Sequence, residues 1–283
     1  MLSRWLMPDS SGIPAGAVVK TRENLKLAMH ADPIYCGVYL FGEYEPANTA
    51  VFKRLIQPGD IVFDIGANFG WYTTLFAKLT GATGKVYAFE PQPAILEHNR
   101  DNLRLNAFED RVKLSHLALG AQSGSLNLYT FAGLSNAHSS AVSLGRDDAK
   151  MSICPMSTLD AFAAEEEIRR IDVLKIDVEG YEADVFKGGA RMLGAADAPL
   201  ILFEINMDCL KSRGMTARNV QDVLRGFGYD FFWEIHPFAG VRPVSGDLRG
   251  TNADYLTAKK CRSDDVEKKL RPKPPASPKF GAP

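Results

Sequence analysis

The sequence predicts an α/β fold built on a doubly wound, mainly parallel sheet. The strongest indication is the stretch 58–91, in which apolar runs at 61–65 and 86–89 flank a glycine turn and a helical segment. A second indication is that the chain then continues to alternate apolar runs with helical segments, which is typical of helices packed on both faces of a parallel sheet. No helical segment precedes the last strand, so the final two strands are expected to form a hairpin.

Residues 1–57 are predicted to form an N-terminal extension and a helix at one edge of the sheet. Residues 1–17 are rich in Ser, Gly and Pro, a composition typical of poorly ordered termini. Pro46 suits the first position of a helix, and Pro58 would end it.

The main domain is predicted to span residues 58–258. Its further helices are expected at 93–106, from 157 or 158 to 164, from 181 to 188, and at 217–226. Its further strands are expected at 112–119, 171–176, 199–205, 229–234 and 254–258, with an extra strand at 125–131.

Two stretches lack this alternation. Residues 132–155 form a long polar segment, which is typical either of a functional lid or of a disordered surface insert, and the sequence leaves both open. Residues 259–283 hold eight Lys or Arg against three Asp or Glu and are Pro-rich from residue 272. Such a segment cannot bury a core, so a disordered basic tail is predicted.

Composition narrows the class of protein. The 283 residues are 46% hydrophobic with a net charge of −1, which indicates a globular protein with no global field for nucleic acid. No apolar run reaches the length of about 18 residues that a membrane span needs. The four cysteines lie far apart, which argues against a disulfide framework or a zinc site. A cytoplasmic location is therefore predicted, and the oligomeric state is left open.

The glycine turn indicates which nucleotide cofactor the chain binds. A dinucleotide fingerprint would place glycines at 66, 68 and 71, but Asn68 and Trp71 stand at the last two positions. The pattern is instead Asp64-x-Gly66-x-x-x-Gly70, with the acid at the end of the strand. S-adenosylmethionine has no pyrophosphate, and its amino-acid end needs polar partners. The turn therefore favours this cofactor over NAD.

Glu90 ends the second strand, twenty residues after Gly70. An acid at this position of a nucleotide-binding unit accepts hydrogen bonds from ribose hydroxyls. The alternative is that the glycines only permit a tight connection and that Glu90 is a solvated acid at a strand end. The sequence favours the cofactor site.

Several segments of the chain resemble the FkbM family of S-adenosylmethionine-dependent methyltransferases. These segments are 42–45, 58–70, 88–91, 102–106, 118–120, 158–160 and Lys-Ile-Asp-Val-Glu-Gly-Tyr-Glu at 175–182. The resemblance implies a Rossmann-like class I methyltransferase sheet of seven strands, with the last strand antiparallel. It also implies O-methylation, often of sugars or natural products, and hence a small-molecule or glycan acceptor.

The expected site lies beyond the carboxyl ends of the strands, where open α/β sheets bind ligands. The residues expected to bind the cofactor are Asp64, Gly66, Ala67, Asn68, Gly70, Glu90, Pro91, Leu117, Ala118 and Asp177. The candidate catalytic residues are Asp177, Glu179, His138 and Glu204.

Methyl transfer from a sulfonium is an in-line displacement, to which the protein contributes alignment and, for a hydroxyl acceptor, a base. Asp177 and Glu179 follow the fourth strand of the unit, without the Pro-Pro-aromatic segment common in amino-methylating enzymes. A nitrogen acceptor is therefore less expected. The unperturbed pKa of histidine would suit a base at neutral pH, but the sequence slightly favours a surface histidine at His138. Asp177, Glu179 and Glu204 could hold Mg²⁺ through oxygen ligands, although no metal is predicted.

Lys175 is unusual because it lies inside an apolar strand, on the same face as Asp177. A buried lysine needs a partner, and Asp177 or Glu204 could provide one. A structural ion pair is expected rather than a catalytic ammonium. Two other classes of protein stay open, an NAD-dependent dehydrogenase and a non-catalytic module that binds the cofactor or a protein.

Overall fold

A computed structural model describes residues 13–14, 16–131, 139–140 and 147–271. Its strands are β1 (Val18–Lys20), β2 (Lys26–Ala28), β3 (Ile61–Ile65), β4 (Lys85–Phe89), β5 (Val112–Ser115), β6 (Ala118–Leu119), β7 (Gly124–Phe131), β8 (Ser139–Ser140), β9 (Ala149–Ser157), β10 (Val173–Ile176), β11 (Leu200–Ile205), β12 (Tyr229–His236), β13 (Gly240–Pro243) and β14 (Ala253–Lys259). Its helices are α1 (Cys36–Phe41), α2 (Pro46–Leu55), α3 (Trp71–Thr80), α4 (Pro93–Asn106), α5 (Leu159–Glu165), α6 (Glu182–Lys187), α7 (Ala190–Gly194), α8 (Met207–Ser212), α9 (Ala217–Gly226) and α10 (Lys260–Leu270). A short 3₁₀ turn at Pro33–Tyr35 precedes α1.

The central sheet has the strand order β13-β12-β14-β11-β10-β3-β4-β5. Strands β11, β10, β3, β4 and β5 pair in parallel, whereas β14 pairs antiparallel with both β11 and β12. This confirms the predicted doubly wound sheet of seven strands with an antiparallel last strand. Strand β13 adds an eighth strand at the edge, paired antiparallel with β12.

Both faces of the sheet are covered by helices. On one face Val62 and Val173 pack with residues of α2, α3 and α10, and on the other Phe63 and Leu174 pack with residues of α5, α6 and α9. Adjacent residues of a strand therefore enter different cores, as period-two geometry requires. The chain leaves β3 toward β4 and β5 and then returns to β10 on the other side of β3. The two halves of the sheet thus separate between β3 and β10, where folds of this kind bind ligands.

A second sheet has four strands in the order β6-β9-β7-β8. It contains residues that were predicted to belong to one long strand and to a loop. The predicted strand 112–119 is divided, because β5 ends at Ser115 and β6 begins at Ala118 in the other sheet. The loop predicted at 132–155 is wrong for residues 149–155, which form β9 against β7. One face of β9 is open to solvent, with Ile153 exposed by 67%, so its sequence resembles a polar loop. Residues 132–138 and 141–146 lie outside the described residues, and the predicted lid is untested.

The N-terminal segment shares a core with the sheet. Helix α2 begins with Pro46 and ends before Pro58, as predicted, and Phe52 packs against the rings of Tyr72 and Phe76 in α3. Leu25 and Tyr35 are buried in the same apolar cluster. The core therefore continues across the predicted boundary between residues 57 and 58. None of the helices in the described ranges is long and apolar enough to cross a membrane.

The prediction that the basic tail at 259–283 is disordered is wrong for the first part of this segment. Residues 260–270 form helix α10, whose Val266 is fully buried in the core with α2 and α3. The Arg54 guanidinium donates a hydrogen bond of 2.9 Å to the carbonyl of Leu270 and so ties α2 to α10. The helix is mostly charged, so its few apolar contacts do not stand out in the sequence. Residues 272–283 lie outside the described part of the chain.

Removing two methyl groups of α10 should destabilise the fold. We expect Val266→Ala to lower the free energy of unfolding by about 1.5–3 kcal/mol, because it loses buried apolar surface and leaves a cavity. Denaturant unfolding measures this change. Asp264→Ala, at an exposed position of the same helix, is the control and should change stability by less than about 0.5 kcal/mol. Equal stability of the two variants would contradict the docking of α10.

Candidate active site

The carboxyl ends of β3, β4, β10 and β11 bring together four of the predicted acids. Asp64 ends β3, Glu90 follows β4, Asp177 follows β10, and Glu204 lies at the end of β11. The order of the strands places these ends beside one another at the point where the sheet divides. The sequence-based prediction of a site at this edge is therefore compatible with the fold.

The turn after β3 is shaped by backbone contacts. Gly66 has φ +78°, and a Cβ there would lie 1.8 Å from the carbonyl oxygen of Asp177. Gly70 has φ +91°, and a Cβ there would lie 2.3 Å from Oδ1 of Asn99 in α4. Both glycines are thus required by close packing. A side chain at residue 66 would push β3 and β10 apart before it reached any cofactor.

The rest of the turn is joined to the end of β4. The amide of Ala67 donates a hydrogen bond of 2.9 Å to the carbonyl of Phe89. The amide of Asn68, at φ +50°, donates a hydrogen bond of 2.9 Å to Oε2 of Glu90. The backbone of the turn therefore lies next to Glu90, the acid that follows β4.

Glu90 is buried and holds the turn in place. Its Oε1 accepts a second hydrogen bond of 2.9 Å, from the amide of Gln92. Burial raises the pKa of Glu90 to about 7, although both backbone hydrogen bonds oppose the shift. A carboxylate has about four acceptor sites, so two remain after these bonds. The residue therefore fits the predicted role of accepting hydrogen bonds from ribose hydroxyls.

Lys175 lies at the centre of the site, and only 4% of its surface is exposed. Its Nζ donates a hydrogen bond of 2.6 Å to the carbonyl of Gly66. It also lies 3.3 Å from Oδ1 of Asp64 and 3.6 Å from Oδ2 of Asp177. Burial opposes its charge, but the pKa of Lys175 is nevertheless raised, because Asp64, Asp177 and Glu45 outweigh that cost.

The predicted structural ion pair of Lys175 is confirmed for Asp177, and Asp64 is a partner that sequence reasoning missed. Lys175 and Asp64 are directly opposite each other in the β3–β10 pairing, on the same face of the sheet. Asp64 is fully buried, and its Oδ2 accepts a hydrogen bond of 2.6 Å from Thr73 in α3. Sequence reasoning missed Asp64 because the register between β3 and β10, which lie more than a hundred residues apart in the chain, was not known.

Two further acids at this site, Asp254 and Glu45, were also missed. Glu204 and Asp254 are opposite each other in the β11–β14 pairing. Glu45, at the start of α2, accepts hydrogen bonds on Oε2 from the Tyr72 hydroxyl at 2.6 Å and from Asn48 at 3.2 Å. Asp254 lies at the start of β14 and Glu45 lies just before α2, so neither fits the pattern of an acid at the carboxyl end of a parallel strand.

The crowding of these carboxylates shifts their protonation. The charge of Asp177, followed by burial, raises the pKa of Glu204. Burial, together with the charge of Asp177, raises the pKa of Glu45. Burial and the charge of Glu45 raise the pKa of Asp254 to about 7. Since Lys175 is a single ammonium, it cannot neutralise all four acids, and some of them hold protons at neutral pH.

Glu179 and Glu182 support the loop that follows β10. Oε2 of Glu179 accepts a hydrogen bond of 2.6 Å from Asn206, the residue that caps α8. Glu182 is fully buried in the first turn of α6, and its Oε1 accepts a hydrogen bond of 3.1 Å from the amide of Gly180. Glu179, a predicted catalytic residue, therefore makes a contact that stabilises this loop.

The remaining predicted residues are placed as follows. Leu117 is partly buried and Ala118 is buried where the chain passes from β5 to β6. The carbonyl of Pro91 lies 2.9 Å from Nε2 of His116. His138 lies outside the described residues, so its predicted role is untested. Within the described ranges, no group of three or more His, Cys, Asp or Glu is arranged to hold a metal ion.

This strand order, with its antiparallel last strand, is that of class I methyltransferases. The family model described as the methyltransferase FkbM domain matches residues 64–231, more than half of the chain. The chain therefore belongs to the FkbM methyltransferase family, as the sequence predicted. This family assignment contradicts the alternative of an NAD-dependent dehydrogenase, whereas it does not test the alternative of a non-catalytic module.

Two relatives illustrate the resemblance. The 31-O-demethyl-FK506 methyltransferase FkbM of Streptomyces tacrolimicus is 32% identical over 216 residues, which cover 66% of this chain and 79% of that protein. The 2-O-methyltransferase NoeI of Sinorhizobium fredii is 27% identical over 157 residues, which cover 50% of this chain and 63% of NoeI. The chain thus spans less than two thirds of the length of NoeI. The crystal structure of methyltransferase FkbM from Methylobacillus flagellatus has a TM-score of 0.47 at 14% identity, over 71% of this chain and 44% of that one.

Removing the charge of Lys175 should destabilise the protein. We expect Lys175→Met to lower the free energy of unfolding by about 3–5 kcal/mol, because it leaves buried carboxylates without their cation. Denaturant unfolding measures the effect. Lys53→Met, which breaks an ion pair with Glu23 at the surface, is the control and should cost at most about 1 kcal/mol. Similar costs for the two variants would show that the buried pair has no special weight.

Glu90→Ala should weaken binding of S-adenosylhomocysteine. The expected loss is about 1–3 kcal/mol of binding free energy, the range for hydrogen bonds to a charged group. Isothermal titration calorimetry measures the affinity, with a thermal melt to verify folding. Glu97→Ala, on the exposed face of α4, is the control and should bind as the wild type does. Wild-type affinity in a folded Glu90→Ala protein would remove Glu90 from the cofactor site.

Proposed function

We propose that this chain transfers a methyl group from S-adenosylmethionine to a hydroxyl group of a sugar or a small natural product. The observation that carries the proposal is the group of carboxylates around Lys175, which lies beside the turn after β3 and can accept a proton from a hydroxyl. The names of two relatives, an O-methyltransferase of FK506 and a 2-O-methyltransferase, support the same reaction type.

In this proposal the turn and Glu90 bind the cofactor. Glu90 accepts hydrogen bonds from the ribose hydroxyls, and the backbone of residues 66–70 lies against the amino-acid end. The bound cofactor supplies a methyl group on a positively charged sulfur. The residues fit this group because the turn has no pyrophosphate loop, and because the acid after β4 has acceptor sites left over.

Asp177 is the proposed base. It lies at the end of β10 next to the ammonium of Lys175, and its backbone touches the glycine turn. Glu204 and Glu45 have raised pKa values caused in part by the charge of Asp177, so both hold protons more readily than ordinary glutamates. A group that already holds a proton cannot act as a base. We therefore assign the hydroxyl proton to Asp177.

Location and partners are also part of the proposal. The acceptor is a small molecule or a glycan rather than nucleic acid, since the formal net charge is −1. A cytoplasmic location is supported by the wide spacing of the four cysteines, which does not suggest a disulfide framework.

Asp177→Asn should separate cofactor binding from catalysis. We expect this variant to bind S-adenosylhomocysteine within a few-fold of wild type but to lose methyl transfer by about 10²–10⁴-fold, the range for one general base. Calorimetry gives the binding, and mass spectrometry of a panel of methyl glycosides and hydroxylated macrolides gives the transfer. Asp208→Asn, at an exposed position of α8, is the matched control and should be fully active. Normal transfer by Asp177→Asn would show that another group takes the proton.

A further inference from the structure

A cavity of about 580 Å³ lies beside the N-terminal segment. Apart from Arg22, all of its lining residues come from the stretch 33–46, which holds the 3₁₀ turn, α1 and the first residue of α2. Its volume is within the range of about 300–1,000 Å³ that is usual for small-molecule sites. This stretch precedes the strand–turn–helix unit of β3 and α3, and the cofactor site does not account for the cavity.

Tyr44 and Glu45 line the cavity and also belong to the active site. The ring of Tyr44 lies 5.5 Å from that of Phe69 in the glycine turn and 6.3 Å from that of Tyr72. The carboxylate of Glu45 accepts the hydroxyl hydrogen bond of Tyr72. Burial raises the pKa of Tyr44, and the charges of Glu45 and Asp177 raise it further, so Asp177 acts electrostatically on this wall. The cavity therefore adjoins the place where we assign the proton transfer.

The backbone at Glu45 is strained. Its φ of +41° and ψ of +66° are in the left-handed region, which is unfavourable for a residue with a side chain. Hydrogen bonds on both sides of the residue hold this conformation, including one of 2.9 Å from the Thr49 hydroxyl to the carbonyl of Tyr44. Strain of this kind persists where the surroundings enforce it, often at binding sites. Here it directs a carboxylate to the border between the cavity and the active site.

The walls of the cavity indicate what kind of molecule it takes. Ile34, Phe41 and the ring of Tyr44 provide apolar surface, and Phe41 is 58% exposed although it is a large apolar residue. The polar groups are Glu45 and the solvent-exposed pair of Arg22 with Glu43, joined at 3.1 Å. Apolar walls with few polar groups suit a ligand with an apolar face and a hydroxyl.

We propose that this cavity binds the methyl acceptor, and that the acceptor is a hydroxylated ring joined to an apolar group. Phe41 contacts the apolar group, and Glu45 accepts a hydrogen bond from the hydroxyl on the side of Asp177. This inference rests on the proposed function, because it takes the reaction to occur at Asp177. It adds the residues that select the acceptor, all of them N-terminal to the cofactor turn.

The test uses 4-nitrophenyl glycosides of xylose, glucose and rhamnose, which join a hydroxylated ring to an apolar aryl group. Calorimetry measures their binding to the full chain saturated with S-adenosylhomocysteine. We expect at least one of them to bind the wild type, and Phe41→Ala to weaken that binding about tenfold through the loss of apolar contact. The control is Leu40→Ala in the same helix, where Leu40 is 43% exposed and does not line the cavity. It should bind within about twofold of wild type.

A second pair of variants tests the polar end of the cavity. Glu45→Gln should weaken binding of the same glycoside about tenfold, because a charged acceptor of the hydroxyl hydrogen bond is lost. Glu43→Gln, which changes a lining acid on the solvent side, should bind within about threefold of wild type. Affinity for S-adenosylhomocysteine should be unchanged in all four variants.

The outcomes are distinct. If the wild type binds S-adenosylhomocysteine but none of the glycosides, the acceptor site is refuted and the cofactor site stands. If a glycoside binds the wild type and Phe41→Ala equally well, it binds elsewhere, and the cavity is not the acceptor site. If S-adenosylhomocysteine itself does not bind, the proposed function fails together with this inference.

Discussion

The structure depends on one buried cation, the ammonium of Lys175, between two strands that are distant in sequence. It contacts the carboxylate of Asp64, the carboxylate of Asp177 and the carbonyl of Gly66, and so joins the ends of β3 and β10. A buried charge is tolerated only where such partners surround it. This contact lies at the point where the sheet divides, so the same interaction that holds the two halves together also shapes the crevice between them. The close approach of Gly66 to the backbone of Asp177 belongs to the same junction.

The excess of acids around Lys175 gives the site its chemistry. The carboxylates of Asp177, Glu204, Asp254 and Glu45 act on one another at a site that is partly open to solvent, and the pKa values of the last three are raised. Taking up one proton removes one negative charge from this crowded group and so relieves the repulsion between its carboxylates. Asp177, Glu204 and Asp254 come from the ends of three strands. Glu45 comes from the start of α2 and lies beside the cavity.

Sequence reasoning was least successful where stability comes from contacts between distant segments. Helix α10 is mostly charged, and its burial at Val266 depends on α2, more than two hundred residues earlier. Strand β9 exposes one face to solvent, so its apolar residues do not follow a pattern that separates it from a loop. In both cases the local composition predicts disorder or irregular chain, and only a partner segment supplies the free energy of burial.

The sequence by itself determined the strand–turn–helix unit, the order of the main helices and strands, the cofactor class and the family. These features are local, because glycine spacing, apolar periodicity and helix caps act within the roughly 30 residues of one strand–helix–strand unit, as from Asp64 to Glu90. Only the tertiary structure decided which charged groups meet. Strand register places Lys175 opposite Asp64 and Glu204 opposite Asp254. Helix packing brings Glu45 to this group from the start of α2. Register between parallel strands is set by contacts across the whole sheet, so no short segment of the chain contains it.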